Sequence, residues 1–198
     1  MKPIDPAGFE QKFRGNIDPW DYTTSPFERY KRGVLLHACG SRKYGRGLEL
    51  ACAIGETTKC LARLCLRLIA VDSSSTALKE AKQRLSGFRN VTFREAVLPD
   101  KAPRGPFDLI VASELAYYLG PSALRELLQK MELALAPGGR IVFLNHSRPI
   151  GDAAQSPELA QRKVRSTLQK SMPIVFHKRH SRFDVVAFRK CRIIKGRR

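Results

Sequence analysis

The sequence lacks any apolar run of the roughly 18 residues that a membrane-spanning helix needs. The apolar stretch CLARLCLRLIAV is interrupted by Arg63 and Arg67. The start, MKPIDPAGFEQKF, carries charges but no apolar core, so no secretory signal is expected and a cytoplasmic location is. Cysteine is scarce and unpaired by spacing: Cys39, Cys52, Cys60, Cys65 and Cys191 form no Cys-x-x-Cys pair. His37, His146, His177 and His180 are scattered, so no metal site is expected. Buried free thiols in a reducing compartment fit this usage. Repeats and low-complexity tracts are also absent.

Acids are under-represented, with 18 Asp or Glu against 36 Lys or Arg and a net charge of +18. The imbalance is uneven. Residues 161–198 hold 13 Lys or Arg and a single acid, Asp184. Such a face can bind nucleic acid or another anionic surface, and it can equally be a solvated exterior. Charge bears on partners and solubility, not on fold.

What is present is alternation. A chain of 198 residues, 43% hydrophobic, suits one domain with a substantial core. RGLELA reads as a strand, after which Leu61, Leu64, Cys65 and Leu68 recur at helical spacing. RLIAVD is a second strand ending in Asp72. Ser73, Ser74 and Ser75 then offer caps to a helix burying Leu78, Ala81 and Leu85. NVTFREAV is a third strand, PDKAPRGP a loop, and FDLIVAS a fourth strand, continuously apolar as one covered on both faces should be.

Pro121 opens a helix with Leu124, Leu127, Leu128, Met131 and Leu135 on one side. Pro137-Gly138-Gly139 is expected to stop it before a fifth strand, RIVFLN. Residues 156–170 suit a basic helix, and IVFHKR with FDVVAFRK an antiparallel hairpin. The pattern predicts an α/β fold: a doubly wound, mostly parallel, seven-stranded Rossmann-like sheet with an antiparallel C-terminal hairpin. Residues 46–192 carry it. Residues 1–45 show turns and no clear strand, and are expected to form an arm across the C-terminal rim. Residues 193–198 are a basic tail.

The turn in GLELACAIGETT is the ligand-facing crossover. A dinucleotide site wants Gly-x-Gly-x-x-Gly, and Ala51, Ala53 and Glu56 occupy those places. Glu49 beside a pyrophosphate would also be repelled, by about 4 kcal/mol for like charges ~4 Å apart at an effective dielectric near 20. S-adenosylmethionine (SAM) reverses that sign, because it carries an ammonium and a sulfonium. Asp72 then suits bidentate hydrogen bonds to ribose hydroxyls. Either acid could instead only cap a helix.

LELACAIGETT, VDSSS, FDLIVASELAYYL and LAPGGRIVF, in that order, resemble the motifs of class I SAM-dependent methyltransferases. NIDPWDYTTSPFERYKR ahead of them is similar to the NodS-like group, whose namesake, nodulation protein S, N-methylates a deacetylated amino sugar of a lipo-chitooligosaccharide. The resemblance spans about residues 16–190 and implies a SAM-dependent methyltransferase acting on a small-molecule acceptor, an amino sugar included, with N-methyl transfer preferred over O-methyl. It implies Glu49, Ala51, Gly55, Asp72, Ser73 and Ser113 around the cofactor, with Glu95 or Ala96 at the adenine. Ala51 departs from the usual first glycine.

On the acceptor side, Ser113-Glu114-Leu115-Ala116-Tyr117-Tyr118 follows the fourth strand. Glu114 is the candidate proton acceptor, with Tyr117 and His146 as further catalytic candidates. Asp18, Trp20, Tyr22 and Tyr118 are candidates to bind the acceptor, since aromatic rings stack on sugar faces. Motifs of base-modifying enzymes (Asn/Asp-Pro-Pro-Tyr, a Pro-Cys nucleophile) are absent, so a nucleic acid is possible but not favoured. The rivals are an RNA methyltransferase using the basic C-terminal face and a SAM-binding protein without activity. Oligomeric state is not legible.

Overall fold

In the computed structural model, which describes residues 3–191, seven strands build one sheet. They are β1 (Tyr44–Leu50), β2 (Cys65–Asp72), β3 (Val91–Glu95), β4 (Phe107–Ser113), β5 (Leu135–His146), β6 (Ile174–Arg179) and β7 (Phe183–Arg189). Their order is β3-β2-β1-β4-β5-β7-β6. Strands β1 to β5 pair in parallel, while β7 runs antiparallel to both β5 and β6. The order reverses between β1 and β4, and in such sheets ligands bind beyond the strands' C-terminal ends at that switch.

Among the described residues there are six α-helices, α1 (Pro6–Gly15), α2 (Pro26–Cys39), α3 (Glu56–Leu61), α4 (Ser75–Arg84), α5 (Pro121–Ala134) and α6 (Pro157–Leu168), of which α1 packs on α4. Alternation along the strands divides the core. Ile110, Ala112, Ile141 and Phe143 face α5 and α6, while Leu109, Val111, Val142 and Leu144 face α2 and α3. Glu49 lies between Leu48 and Leu50, which join the first cluster, so its side chain is directed to the α2–α3 side.

Three local expectations change. The helix after Gly55 ends at Leu61, and Cys65 and Leu68 belong to β2, whose neighbour β1 claims them at Tyr44 and Gly47. Pro137-Gly138-Gly139 does not stop a helix. α5 already ends at Ala134, and β5 runs through the three residues, with its register against β4 shifting between Phe107 and Leu109. The N-terminal segment is not strandless turns: it forms α1 and α2 and enters β1 at Tyr44. Each helix begins at an acid- or serine-proline step, Asp5-Pro6 and Ser25-Pro26. There the first side chain caps an amide and proline takes the position that needs no donor. The tail 193–198 lies outside the described residues.

Candidate active site

A cavity of about 630 Å³ opens at the C-terminal rim. Ala51, Asp72 with Ser73, Ala96, Ser113 with Glu114, and His146 line it, each at or just past the end of one of the first five strands. Among the described residues, four non-glycine residues have positive φ: Asp21 (54°), Ala51 (56°), Ala53 (47°) and Glu114 (56°). All four line this cavity. A left-handed backbone costs an L-residue about 1–2 kcal/mol, so strain is concentrated where a ligand would sit.

The first turn therefore keeps the glycine conformation without the glycines. Gly55 is left-handed as well (φ 87°), and a Cβ there would come within 2.9 Å of Leu85 Cδ1 and 3.1 Å of Ala81 Cβ. It shapes the turn from behind and does not line the cavity. Below the turn lies Glu49, 2% exposed and also outside the lining. Neither Glu49 Oε2 nor the neighbouring Thr58 Oγ1 closes a hydrogen bond. Burial pushes the Glu49 carboxyl up to about 8, and the Asp72 charge adds to the rise.

Asp72 stands in the cavity wall at 7% exposure. Its Oδ2 accepts from the Ala53 amide (2.8 Å) and its Oδ1 from the Ser74 amide (3.0 Å). It thus secures both the turn and the entry to α4, and each oxygen keeps a further lone pair for a ligand. Burial raises its pKa against these amides. At the third strand Ala96 lines the cavity, whereas Glu95 is exposed and outside it. Among the described residues no acid is presented to the cavity there, only Ala96 and Val97 with their backbone.

Across the cavity, Lys31 of α2 is buried between two acids. Its Nζ donates to Glu28 Oε1 (2.8 Å) and Glu114 Oε1 (2.7 Å). Glu114 Oε2 accepts from the Tyr117 hydroxyl (2.7 Å) and the His146 amide (2.8 Å). Burial pulls the Lys31 ammonium down, but the two carboxylates outweigh it and hold it above the usual lysine value. Burial, reinforced by the Glu114 charge, raises the Tyr117 phenol far out of range, so Tyr117 is a neutral donor. Burial lowers the His146 imidazole, which keeps that ring uncharged at neutral pH.

Trp20, Tyr22 and Tyr118 line the cavity, joined by Phe9 and Phe13 of α1. Phe9 meets the Tyr118 ring edge-on with centroids 4.9 Å apart, and Phe13 meets Trp20 at 5.6 Å. Asp18 is not in the lining. Its carboxylate accepts from the Tyr22 amide (2.8 Å) and from Thr23 (Oγ1, 2.7 Å), building the turn that presents the rings.

α1 itself is pinned at both sides of the mouth. Glu10 accepts from Ser74 Oγ and Thr76 Oγ1 (both 2.6 Å), and Lys12 pairs with Asp152 (2.7 Å). The hydroxyls, Ser74 first, hold the Glu10 carboxyl at about 2. Sequence reasoning missed Glu10, Glu28, Lys31, Phe9 and Phe13. The capped Asp5-Pro6 and Ser25-Pro26 starts, with Phe9 and Phe13 one turn apart, were the available signal. Among the described residues no group of three His, Cys, Asp or Glu side chains is placed to hold a metal ion.

Sheet order, the left-handed turn after β1, an orphaned acid behind that turn and Asp72 at the end of β2 together define a class I, SAM-type methyltransferase fold and cofactor cradle. The family described as Nodulation protein S (NodS) matches residues 9–180, and the chain belongs to that family. A nodulation protein S of Rhizobium tropici is 33% identical over 128 residues, covering 64% of this chain and 54% of that protein. One from Sinorhizobium fredii is 31% identical over 128 residues, covering 64% and 59%. The chain thus spans a little over half the length of these curated relatives. The crystal structure of the N-methyltransferase NodS from Bradyrhizobium japonicum WM9 in complex with S-adenosyl-L-homocysteine matches with a TM-score of 0.78. Its identity is 27%, over 91% of this chain and 97% of that one.

Proposed function

We propose that the protein transfers a methyl group from SAM to the amine nitrogen of a small-molecule acceptor, with a glucosamine-containing saccharide as the class. One observation carries this reading. In a chain of net charge +18, the cavity is lined by Asp5, Asp21, Glu28, Asp72, Glu114 and Asp152, with Lys31 as the sole Lys or Arg among the described residues that line it. That reversal suits a cationic cofactor and an acceptor that arrives as an ammonium.

The turn at Ala51–Gly55, Asp72, Ser73, Ala96 and Ser113 would hold the cofactor, with Glu49 beneath supplying an unpaired acid. When bound, SAM supplies an electrophilic methyl group on a sulfonium. The chain's own part is to bind and orient. Trp20, Tyr22 and Tyr118 present flat rings to a sugar face. Glu114 holds Lys31, Tyr117 and the His146 backbone in one arrangement. Its oxygens already have donors, so the uncharged His146 ring is the better proton acceptor, and Tyr117 is a donor that fixes Glu114. Alignment in a closed site supplies much of the catalysis.

The rival reading, an RNA acceptor, is weaker. Gripping phosphates needs several cations near the site, and among the described residues the lining offers one lysine already held by two acids. No described helix is long and apolar enough to cross a membrane. We place the protein in the cytoplasm, where its free thiols are stable. The test is methyl transfer from SAM to a glucosamine tetramer, its fully N-acetylated counterpart and an RNA mixture. Transfer to the amine alone is expected. Transfer to RNA alone, or none by protein that binds SAM, would overturn the reading.

A further inference from the structure

Three acids of the inner cavity can be sorted by what their oxygens already do. Asp72 holds the Ala53 and Ser74 amides beside the cofactor turn. Glu114 has donors on both oxygens: Lys31 on one, Tyr117 and the His146 amide on the other. Glu28 differs. Its Oε1 accepts from Lys31, and among the described residues nothing donates to Oε2. The side chain is only 14% exposed and lines the cavity.

Charge points the same way. Glu28, Lys31 and Glu114 form a buried row of two carboxylates and one ammonium, which leaves one negative charge uncompensated. A buried charge without a partner is costly, and a cation entering the cavity relieves that cost. Glu28 also shares its neighbourhood with the acceptor-side groups, since its charge acts on both Tyr22 and His146.

We propose that Glu28 is the specificity-determining residue of the acceptor site: its free Oε2 receives the acceptor's ammonium in a charge-assisted hydrogen bond, while Lys31 fixes its position. The inference rests on the amine-transfer reading and assigns its selectivity to one carboxylate. The chemistry balances simply. The ammonium held by Glu28 gives one proton to the neutral His146 ring and becomes an amine. The nitrogen lone pair then forms the C–N bond as the C–S bond breaks, and that bonding pair stays on sulfur. The product is a methylated ammonium and an uncharged thioether, and His146 releases its proton to water. A hydroxyl acceptor brings no positive charge and gains nothing from Glu28, so the residue selects amine over alcohol.

Binding, measured apart from turnover, tests this. Protein saturated with S-adenosylhomocysteine is titrated by calorimetry with the glucosamine tetramer and with its fully N-acetylated counterpart, across a pH series. Below the amine's own pKa, Glu28→Gln should weaken the amine probe at least tenfold, about 1.4 kcal/mol, and leave the acetylated probe unchanged. Above that pKa the wild-type affinity should fall toward the variant's, since the probe no longer carries the charge that Glu28 recognises. Glu28→Asp keeps the charge and should keep the pH dependence. A Glu28→Gln protein that binds both probes as the wild type does would overturn the assignment. So would equal loss of both probes at every pH, which marks a structural role; unchanged S-adenosylhomocysteine affinity shows that the variant is folded. Failure of the amine reading looks different: wild-type protein that prefers the acetylated probe overturns that reading and the Glu28 assignment together.

Discussion

Behind the cavity wall built by β1 and β2, Glu49 is buried with no hydrogen-bond partner for Oε2, whereas on the wall built by α2 and the end of β4 both oxygens of Glu114 have donors. The first wall leaves an acid unsatisfied inside the folded protein; on the second Glu114 is fully satisfied, and among the described residues only Glu28 Oε2 is left without a donor. An unsatisfied buried group is a site that a ligand completes, and a self-satisfied network is a scaffold that sets geometry before a ligand arrives. Damage to Glu49 and damage to the Glu114 network should therefore show up differently, as lost cofactor affinity in the first case and as lost stability in the second.

The largest effect is expected on the scaffold side. Lys31→Met leaves Glu28 and Glu114 facing each other without the cation between them. Breaking a buried pair in this way costs on the order of 3 kcal/mol. Denaturant unfolding should report that loss, with S-adenosylhomocysteine affinity nearly unchanged while the protein is folded. A stability change too small to measure would show that the row is not a scaffold.

Next comes Asp72→Ala, which should weaken SAM binding by roughly 1.5–3 kcal/mol, the range for hydrogen bonds to a charged group. A smaller stability loss should accompany it, because the Ala53 and Ser74 amides lose their acceptor. Calorimetry showing unchanged SAM affinity would reduce Asp72 to a cap. The smallest effect has the opposite sign. Ala51→Gly relieves a left-handed alanine (φ 56°), so stability should rise, by about 1 kcal/mol, with SAM binding intact. Sequence alone suggests an entropic loss here, since a glycine costs freedom on folding; only the observed dihedral reverses the sign.

The walls also differ in how far the sequence discloses them. Glu49, Ala51, Gly55 and Asp72 sit at fixed offsets from two strand ends, and strand–turn–helix periodicity locates such places one at a time. The sheet order follows from the same alternation. The scaffold wall joins residues far apart in the chain, Lys31 to Glu114, as the mouth joins Glu10 to Ser74, and no local period records those meetings. Asp18 fails as a binding candidate for a related reason. Its acid-aromatic neighbourhood is real, but the carboxylate is spent on the Tyr22 and Thr23 amides. Cys65 and Leu68 kept helical spacing by coincidence and were claimed by pairing with β1.

Glu49 gives the most direct test of the cofactor cradle. Its folded pKa of about 8 lies above the ordinary carboxylate value of 4.5. The folded protein therefore holds a proton that the unfolded chain has released, and the associated stability declines as pH rises from about 4.5 through 8. A cation bound above this acid favours its ionised form. SAM should then bind with release of a proton near neutral pH, measurable by calorimetry in buffers of different ionisation enthalpy. Glu49→Gln should bind more weakly and release none. Folded protein that gives no binding signal with SAM would contradict the account. So would binding whose proton release persists in Glu49→Gln, since the acid behind the turn would then play no part.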